Sequence, residues 1–548
     1  MTKLAAQNPV DTERVAVTQA AGVIALGNVA SRVLGLVRII VKSGLFGAGP
    51  DVSALDAAIR VPNTLYDLLV GGMISSALVP VLSDYAAPER RDELWGLLSV
   101  LLSVASLLVC GFLLLGEVLA PQLIWLMAGG LSPGAQTLAT ELLRLVLPAV
   151  LFLNLAGILT GALYALKRFV FPAFTAAIFN AALVAVALVM GRRWGVHSMA
   201  IGLVAGAILQ VALQLPGLRD SRLRLKLTLR HPALRRIGRL YLPILIGLVV
   251  DNLLSVILSY HLASRLNDSA ISWMEYAAQI IQFPLGLVAV AISLATLPTL
   301  SRQASAREVG PFRQTLAQGM RLVLVLVIPA TVGLFVLATP LVALVFEHGD
   351  FTTSDTAAVS EALRYHLLGL IFAAVDQLLI FAFYARKDTL TPALVGVGAT
   401  VFYAAATLLL AGLGLLNLPL LILMNSLKWA AHALTMLLLT RRRLGELGDQ
   451  AIWATLLNAS LASAVMGGAV WGTIRLVTGV APAGVVGEML VVAVAGGVGA
   501  LIYIVLALIL RIEEIHLLRA AFVDGWQRLT RAKRTVIIAS SEEIADRE

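Results

Sequence analysis

Long apolar stretches recur along nearly the whole chain, separated by short polar or charged segments. A helix that crosses the hydrocarbon core of a bilayer needs about 20 mainly apolar residues. Because these stretches are apolar throughout rather than alternating, they favour helices over the strands of a membrane barrel. The pattern predicts an all-α polytopic membrane protein with fourteen spans, at residues 18–44, 54–84, 94–120, 138–166, 170–191, 197–217, 238–264, 270–300, 316–345, 357–385, 391–412, 416–440, 452–475 and 484–510.

Basic residues concentrate in every second loop. One side carries Arg90, Lys167, the run 219–239, Arg386 and Arg441–Arg443, whereas the loops near 126–136 and 346–356 contain no Lys or Arg. The positive-inside rule then predicts that both termini are cytoplasmic, which requires an even number of spans. A cytoplasmic N-terminus (1–17), a basic linker (219–237) and a basic amphipathic tail (511–548) would lie on this side, the last two against anionic lipids.

Composition supports a membrane protein and excludes several other classes. Of the 548 residues 59% are hydrophobic and only 13% are charged, whereas soluble proteins carry about 25% charged residues. The net charge of +9 lies in the loops, so it indicates membrane topology and not nucleic-acid binding. Cys110 is the single cysteine, which excludes an internal disulfide. Phosphate-binding loops and metalloprotease motifs are missing from the sequence, so we expect a transporter rather than an enzyme.

The chain contains an internal repeat. Residues 140–174 align without gaps on residues 360–394 and share 12 identities in 35 positions, including Tyr164/Tyr384 and Lys167/Lys387. The fourth span thus matches the tenth, and a six-helix unit places both copies in the same orientation. This predicts an N-lobe (18–218), a C-lobe (238–443) and two additional helices (444–510). Parallel repeats of this kind build transporters with a central cavity and alternating access.

Several charged residues fall inside predicted spans, where they usually face a cavity. Asp56, Arg60, Asn63 and Asp67 are spaced 4, 3 and 4 residues apart, which places them on one face of the second helix. A structural role is the alternative, with Asp56 paired to Arg60 for example. Arg32 and Arg38 in the first span lack an acidic residue three or four positions away. Further candidates are Asp251, Glu275, Asp376, Lys428 and His432.

Short motifs resemble the MviN/MurJ family of lipid II flippases, which belongs to the MOP superfamily with the MATE multidrug exporters. They are SRVLGLVR from Ser31, FGAG from Phe46, RVPN from Arg60, ALVPVL from Ala77, ALYALK from Ala162 and SWMEYA from Ser272. The resemblance covers most of residues 20–445. MATE exporters typically have twelve spans, so the two additional helices favour the flippase family over the exporters.

The resemblance implies a function and a site. Such a protein moves an undecaprenyl-pyrophosphate-linked peptidoglycan precursor (lipid II) from the inner to the outer leaflet of the bacterial cytoplasmic membrane. Cationic cavity residues contact the pyrophosphate, and Arg32 and Arg38 match two of them. Two further family arginines are replaced here by Tyr66 and Gln279. We hypothesise that Arg60 or Lys428 substitutes for the lost charges.

The resemblance also bears on energy coupling and partners. No bound cofactor is expected. The membrane potential is the expected energy source, with Na⁺ or another monovalent cation as the alternative. Some members of the family bind sodium in the second lobe, and Asp251 matches one ligand. The alternatives in function are export of another polyprenyl-linked saccharide, MATE-like export of an amphiphile and, more distantly, a non-transporting scaffold for cell-wall synthesis proteins.

Overall fold

The computed structural model describes residues 9–68, 74, 78–228, 232–445, 451–482 and 484–515. Of these, residues 9–21, 240, 242–248 and 250–252 are described by their backbone only. Over the described residues the regular elements are helices. The α-helices are α1 (Pro9–Phe46), α2 (Pro50–Tyr66), α3 (Val79–Ser83), α4 (Arg91–Val118), α5 (Ala120–Ala128), α6 (Pro133–Val146), α7 (Ala149–Ala165), α8 (Val170–Ala173), α9 (Thr175–Trp194), α10 (His197–Gln214), α11 (Pro232–Leu248), α12 (Ser255–Leu266), α13 (Ala270–Pro284), α14 (Ala291–Ser305), α15 (Val309–Phe346), α16 (Thr353–Ala385), α17 (Leu390–Gly412), α18 (Leu418–Leu444), α19 (Ile452–Thr478) and α20 (Val485–Ile509).

Twelve helices among the described residues are long and apolar enough to cross a bilayer, and each coincides with a predicted span. The all-α polytopic class is therefore confirmed. Two predicted spans remain. Span 54–84 includes residues 69–73 and 75–77, which lie outside the described part, and span 238–264 includes side chains that lie outside it. Residues 1–8 of the N-terminus and the tail from 516 onward also lie outside it. The membrane contacts predicted for the linker and the tail remain predictions.

The repeat is visible in the backbone. The span-length segments Pro133–Ala165 and Thr353–Ala385 have the same length and the same offset of 220 residues as the sequence repeat. Each ends in a left-handed lysine, Lys167 at φ 58° and Lys387 at φ 62°. In both turns the next amide donates to the carbonyl five residues back, Arg168 to Leu163 and Asp388 to Phe383. This 6→1 bond satisfies a carbonyl that the helix end would leave unpaired.

The two turns also carry equivalent ion pairs with the charges exchanged. Arg168 pairs with Asp220 at 2.6 Å, whereas Asp388, at the matching position of the second copy, pairs with Arg443. The geometry of the turn is thus kept while the signs of the charges differ.

By contacts the chain forms two compact units. The first contains residues 1–279, 345–362 and 396–428. Its core includes Leu82, Leu94, Leu98 and Leu159, all nearly inaccessible, together with Tyr241, whose hydroxyl donates to the carbonyl of Leu68.

The second unit contains residues 280–344, 363–395 and 429–548. In its core Tyr503 donates to the carbonyl of Val325, which ties α20 to α15. Beside it Arg321 pairs with the buried Glu514 at 2.8 Å. The predicted lobe boundaries are based on the sequence repeat, whereas the two compact units are defined by contacts in the structure. The lobe boundaries therefore stay predictions.

Two glycines set the local geometry of helices in the first unit. Gly47, at φ +66°, ends α1 in the left-handed region, and Pro50 opens α2 three residues later, so a short turn joins the two helices as the α1–α2 hairpin. Gly206 lets α10 pack closely on α9, because a Cβ there would lie 2.9 Å from the carbonyl oxygen of Phe179. A side chain forced into that contact costs about 1–3 kcal/mol.

Candidate functional site: a charged cavity

A cavity in the first unit is lined by residues of α1, α2, α9, α10, α12 and α13. One wall is apolar and comes mainly from Phe179 and Leu183 of α9 and Met199 and Leu203 of α10. The polar residues of the lining are Arg38, Lys42, Asp56, Arg60, Asn63, Tyr260, Glu275, Tyr276 and Gln279. Three cations thus share the lining with two carboxylates.

Lys42 and Asp56 form an ion pair across the α1–α2 hairpin. The Nζ atom of Lys42 lies 2.5 Å from Oδ1 and 2.7 Å from Oδ2 of Asp56. Both side chains are only 12–13% exposed. The Lys42 ammonium also lies 4.7 Å from the centre of the Tyr276 ring, a cation–π distance. Asp56 is therefore paired between helices and not with Arg60 of its own helix.

Two tyrosines fix the cationic side of the cavity. The Tyr276 hydroxyl donates to the carbonyl of Gly47 at 2.8 Å, and its ring packs against Phe346 and Phe351. The Tyr260 hydroxyl donates to a carboxylate oxygen of Glu275, and the guanidinium of Arg60 lies 5.9 Å from the Tyr260 ring centre. The carboxylate acceptor makes the Tyr260 hydrogen bond one of the stronger class, whereas Tyr276 is held by a backbone carbonyl and by the two phenylalanine rings.

Arg38 and Arg60 present guanidinium groups whose donors remain available. Within the described part of the chain neither side chain forms a hydrogen bond or an ion pair, and Nε of Arg60 is buried without an acceptor. A buried donor without a partner costs free energy, which an anionic ligand would recover. Planar guanidinium groups suit the bidentate recognition of phosphate. The arrangement can therefore bind an anion.

Hydrogen bonds close the unit around the α1–α2 turn. Ser272 on α13 donates through Oγ to the carbonyl of Ala48 at 2.5 Å, and its amide donates to Oγ of Ser53 at 3.1 Å. The amides of Gly130 and Ser132 donate to Ser264 Oγ and to Asp268 Oδ1, respectively. The last two contacts involve the loop that contains no Lys or Arg.

The structure brings together five of the eight predicted substrate-site residues: Arg38, Asp56, Arg60, Asn63 and Gln279 line the cavity. The other three lie outside its lining. Arg32 is an exposed residue of α1, Tyr66 is the last residue of α2, and Asp67 follows it on the surface. Their roles in binding remain predictions.

Of the candidates in later spans, Glu275 lines the cavity, whereas Asp376, Lys428 and His432 are not part of the lining. Lys428 donates to Oγ of Ser255 at 3.0 Å and lies 5.8 Å from the Tyr403 ring centre. In the second unit His432 pairs with Asp376 at 2.7 Å. Asp251 falls in a π-helical turn, Val249–Leu254, and its side chain lies outside the described part. Among the residues searched, no group of three or more His, Cys, Asp or Glu is placed to hold a metal.

Sequence reasoning did not assign Lys42, Tyr260 or Tyr276 to the site, and it named Glu275 only as a charge within a span. For Lys42 a signal was present, because it lies four residues after Arg38 and so shares a helix face with it. The tyrosines gave no such signal, because their partners lie on other helices.

An all-helical fold with many spanning helices and a charged cavity defines a multi-pass membrane protein of the transporter type. The model of the family "Lipid II flippase MurJ" matches residues 42–494. The chain therefore belongs to the MurJ family of lipid II flippases, as the sequence motifs predicted.

Individual relatives agree with this assignment. The lipid II flippase MurJ of Burkholderia cenocepacia is 30% identical over 384 residues, which cover 68% of this chain and 74% of that protein. The probable lipid II flippase MurJ of Vibrio cholerae is 34% identical over 387 residues, with 68% and 73% covered.

Solved structures support the fold. A lipid II flippase MurJ in an inward closed conformation superposes with a TM-score of 0.75 at 24% identity, covering 89% of this chain and 98% of that one. An inward-facing MATE family multidrug resistance transporter of the MOP superfamily gives 0.63 at 15% identity, covering 77% and 96%. The predicted MOP-type fold is confirmed.

Proposed function

We propose that this protein moves lipid II from the inner to the outer leaflet of the bacterial cytoplasmic membrane, with both termini in the cytoplasm. Its membership of the lipid II flippase family supports this function. The observation that carries the proposal is the cavity in which Arg38 and Arg60 offer guanidinium donors without a described partner. The pyrophosphate of the lipid carrier is the group that these donors would bind.

In the proposed mechanism the headgroup enters from the cytoplasm and its pyrophosphate binds Arg38 and Arg60. Each charge-assisted hydrogen bond contributes about 1.5–3 kcal/mol. The hydrogen bonds from Ser272 to Ala48 and Ser53 hold together the end of the cavity that the loop charges predict to be periplasmic. Their rupture opens that end, and the repeated lobes then alternate access to the two leaflets.

The membrane potential is a sufficient energy source in this proposal. Moving one elementary charge across 100 mV corresponds to about 2.3 kcal/mol. An inside-negative potential favours outward movement of the anionic pyrophosphate. Transport would then proceed without ATP hydrolysis.

The cavity differs from that implied by the family resemblance in one respect that bears on the substrate. Gln279 in the lining and Tyr66 outside it stand where the resemblance implies arginines, while Asp56 and Glu275 contribute two carboxylates to the lining. A less cationic lining favours a second candidate, the export of a different polyprenyl-linked saccharide with a smaller negative charge. The two candidates share the fold and the arginines.

Reconstituted vesicles test the proposal. The protein is inserted into proteoliposomes, and outward movement is measured for lipid II, for an undecaprenyl-monophosphate-linked sugar and for a cationic amphiphile. We expect lipid II to move and the Arg38→Gln/Arg60→Gln variant to be inactive. Faster movement of the undecaprenyl-monophosphate-linked sugar than of lipid II would favour the second candidate function over lipid II transport. Movement of the amphiphile alone would indicate a MATE-like exporter, and movement of none of them would favour a scaffold.

A further inference from the structure

We infer that Asp56 is a release residue: its carboxylate competes with the bound anion for Lys42 and so keeps the affinity of the cavity low enough for the headgroup to leave. The inference rests on the proposed function, since it assigns a role within the same cavity. The motifs and comparisons above assign no role to the Lys42–Asp56 pair.

The pair has the geometry of an occupied anion site. Both oxygens of Asp56 lie within 2.7 Å of the Lys42 ammonium, so the carboxylate stands where a phosphate would stand. The ring of Tyr276, which is itself fixed by the carbonyl of Gly47, lies 4.7 Å from the same ammonium. An incoming anion therefore competes with Asp56 for the Lys42 ammonium.

Arg38 and Arg60 share the lining with this pair, and within the described part of the chain their side chains form no hydrogen bond or ion pair. An anion can thus bind the two arginines first, without breaking any ion pair. Exchange of Asp56 for the anion at Lys42 would follow as a second step. The reverse exchange returns Lys42 to Asp56 and weakens the hold on the anion before it departs.

A transporter gains from such competition because tight binding slows departure. If the cavity holds the headgroup equally tightly at every stage of transport, less substrate is needed to fill the cavity, but transport is not faster. A carboxylate tethered in the cavity repels the bound anion at every stage. Removing the Asp56 carboxylate should therefore increase the affinity for the anion and decrease the rate of transport.

Glu275 provides a matched control. It is the other carboxylate of the lining, but it accepts its hydrogen bond from Tyr260 and is not bonded to Lys42. If only the total charge of the cavity matters, Glu275→Gln and Asp56→Asn will have equal effects. If Asp56 acts through Lys42, the effect of Asp56→Asn will be larger and will require Lys42.

The binding experiment uses the full-length protein in lipid nanodiscs and inorganic pyrophosphate as the probe, measured by isothermal titration calorimetry. We expect Asp56→Asn to lower the Kd about tenfold and Glu275→Gln to lower it less than about threefold. Asp56→Glu, which keeps the charge, should leave the Kd within about threefold of the wild type. In a Lys42→Gln background, Asp56→Asn should tighten binding by less than about threefold, because only the repulsion between the carboxylate and the anion is then removed.

The transport experiment uses the same variants in proteoliposomes with saturating lipid II. Asp56→Asn should decrease the flipping rate several-fold although it binds pyrophosphate more tightly. An unchanged or weaker affinity in Asp56→Asn, with a protein that unfolds at the wild-type temperature, would overturn the inference. A lower unfolding temperature without tighter binding would also overturn it, because the pair would then be structural.

The two proposals fail in different ways. In one outcome, the wild-type protein binds pyrophosphate, the Arg38→Gln/Arg60→Gln variant does not, and Asp56→Asn binds as the wild type does. The release role is then wrong, but the anion site stands. If neither the wild type nor Asp56→Asn binds pyrophosphate, both the anion site and the release role are wrong.

Discussion

Lys42 and Asp56 lie 14 residues apart in the chain, and the lysine ammonium contacts both carboxylate oxygens of the aspartate at 2.5 and 2.7 Å. The α1–α2 hairpin makes this contact possible, because Gly47 reverses the chain between the two helices. The pair neutralises Lys42 and leaves Arg38 and Arg60 as the cations of the cavity without a described acceptor. The cavity thus contains one paired cation and two that are available to an anion.

Replacing either available arginine should weaken substrate binding. Arg38→Gln and Arg60→Gln each remove a charge-assisted contact with the pyrophosphate, which corresponds to about 1.5–3 kcal/mol, or a 10- to 100-fold higher Kd for lipid II. Binding to protein in nanodiscs measures the change. Arg32→Gln tests the family-based prediction separately, because Arg32 is exposed and outside the lining. Wild-type affinity in Arg60→Gln would remove Arg60 from the site.

Tyr260 should act by orienting its neighbours. Tyr260→Phe keeps the ring beneath Arg60 but loses the hydrogen bond to Glu275, so we expect a decrease in flipping rate smaller than that caused by Tyr260→Leu. The leucine variant also loses the cation–π contact, which contributes about 0.5–2 kcal/mol. Flipping rates of the two variants in proteoliposomes check the order. Equal rates would show that the ring is irrelevant to Arg60.

Ser272→Ala should destabilise the closed end of the cavity. The substitution leaves the carbonyl of buried Ala48 without its hydroxyl donor, at a cost of about 1–3 kcal/mol. The thermal unfolding midpoint in detergent should therefore fall. Thr137→Ala is the matched control, because its hydroxyl bonds only to the carbonyl of Pro133 in its own helix and is exposed. Equal midpoints for the two variants would contradict the role of Ser272.

Transport should depend on the membrane potential. With two negative charges moved outward, 100 mV corresponds to about 4.6 kcal/mol, twice the value for one charge. A potassium diffusion potential is set with valinomycin so that the side from which lipid II enters the protein is negative. This potential should accelerate flipping, and its collapse should slow flipping. A rate that does not respond to the potential would point instead to coupling with Na⁺ or another cation.

The loop ion pair at Asp388 predicts a dependence of stability on pH. Burial acts to raise the pKa of Asp388, but hydrogen bonds from the side chain and amide of Thr391 and the contact with Arg443 outweigh it and lower this pKa to about 2. A carboxyl whose pKa is depressed on folding stabilises the protein above its unfolded value of about 3.9. That stabilisation is lost as the pH falls from about 4 toward 2.

Asp388→Asn measures this contribution. The variant loses an anionic cap at the start of α17, a change of about 0.5–2 kcal/mol, reduced by partial exposure of the pair. Its unfolding temperature should lie below the wild-type value between pH 5 and 7, and the two should converge as the pH falls from about 4 toward 2. A difference that persists unchanged into acid would show that Asp388 stabilises the turn without its charge.

Local patterns in the sequence predicted much of the fold. Each of the twelve spanning-length helices coincides with a predicted span because span length follows from bilayer thickness. The repeat 140–174/360–394 recurs as two segments of equal length that end in left-handed Lys167 and Lys387. These features depend on neighbours close in the chain, so a single sequence contains the information needed to predict them.

The site could be predicted only in part. Spacing placed Asp56, Arg60 and Asn63 on one helix face, and all three line the cavity. Spacing cannot choose between a partner on the same helix and one on another helix. The partner of Asp56 is Lys42, selected by the hairpin geometry, and the environment of Arg60 depends on Tyr260 from α12.

Complementation tests the central claim most directly. A bacterium depleted of its own lipid II flippase receives either this chain or its Arg38→Gln/Arg60→Gln variant, with membrane insertion of both verified. We predict growth with the wild-type chain and lysis with the variant. Failure of the inserted wild-type chain to restore growth, or growth with both, would contradict lipid II transport through this cavity.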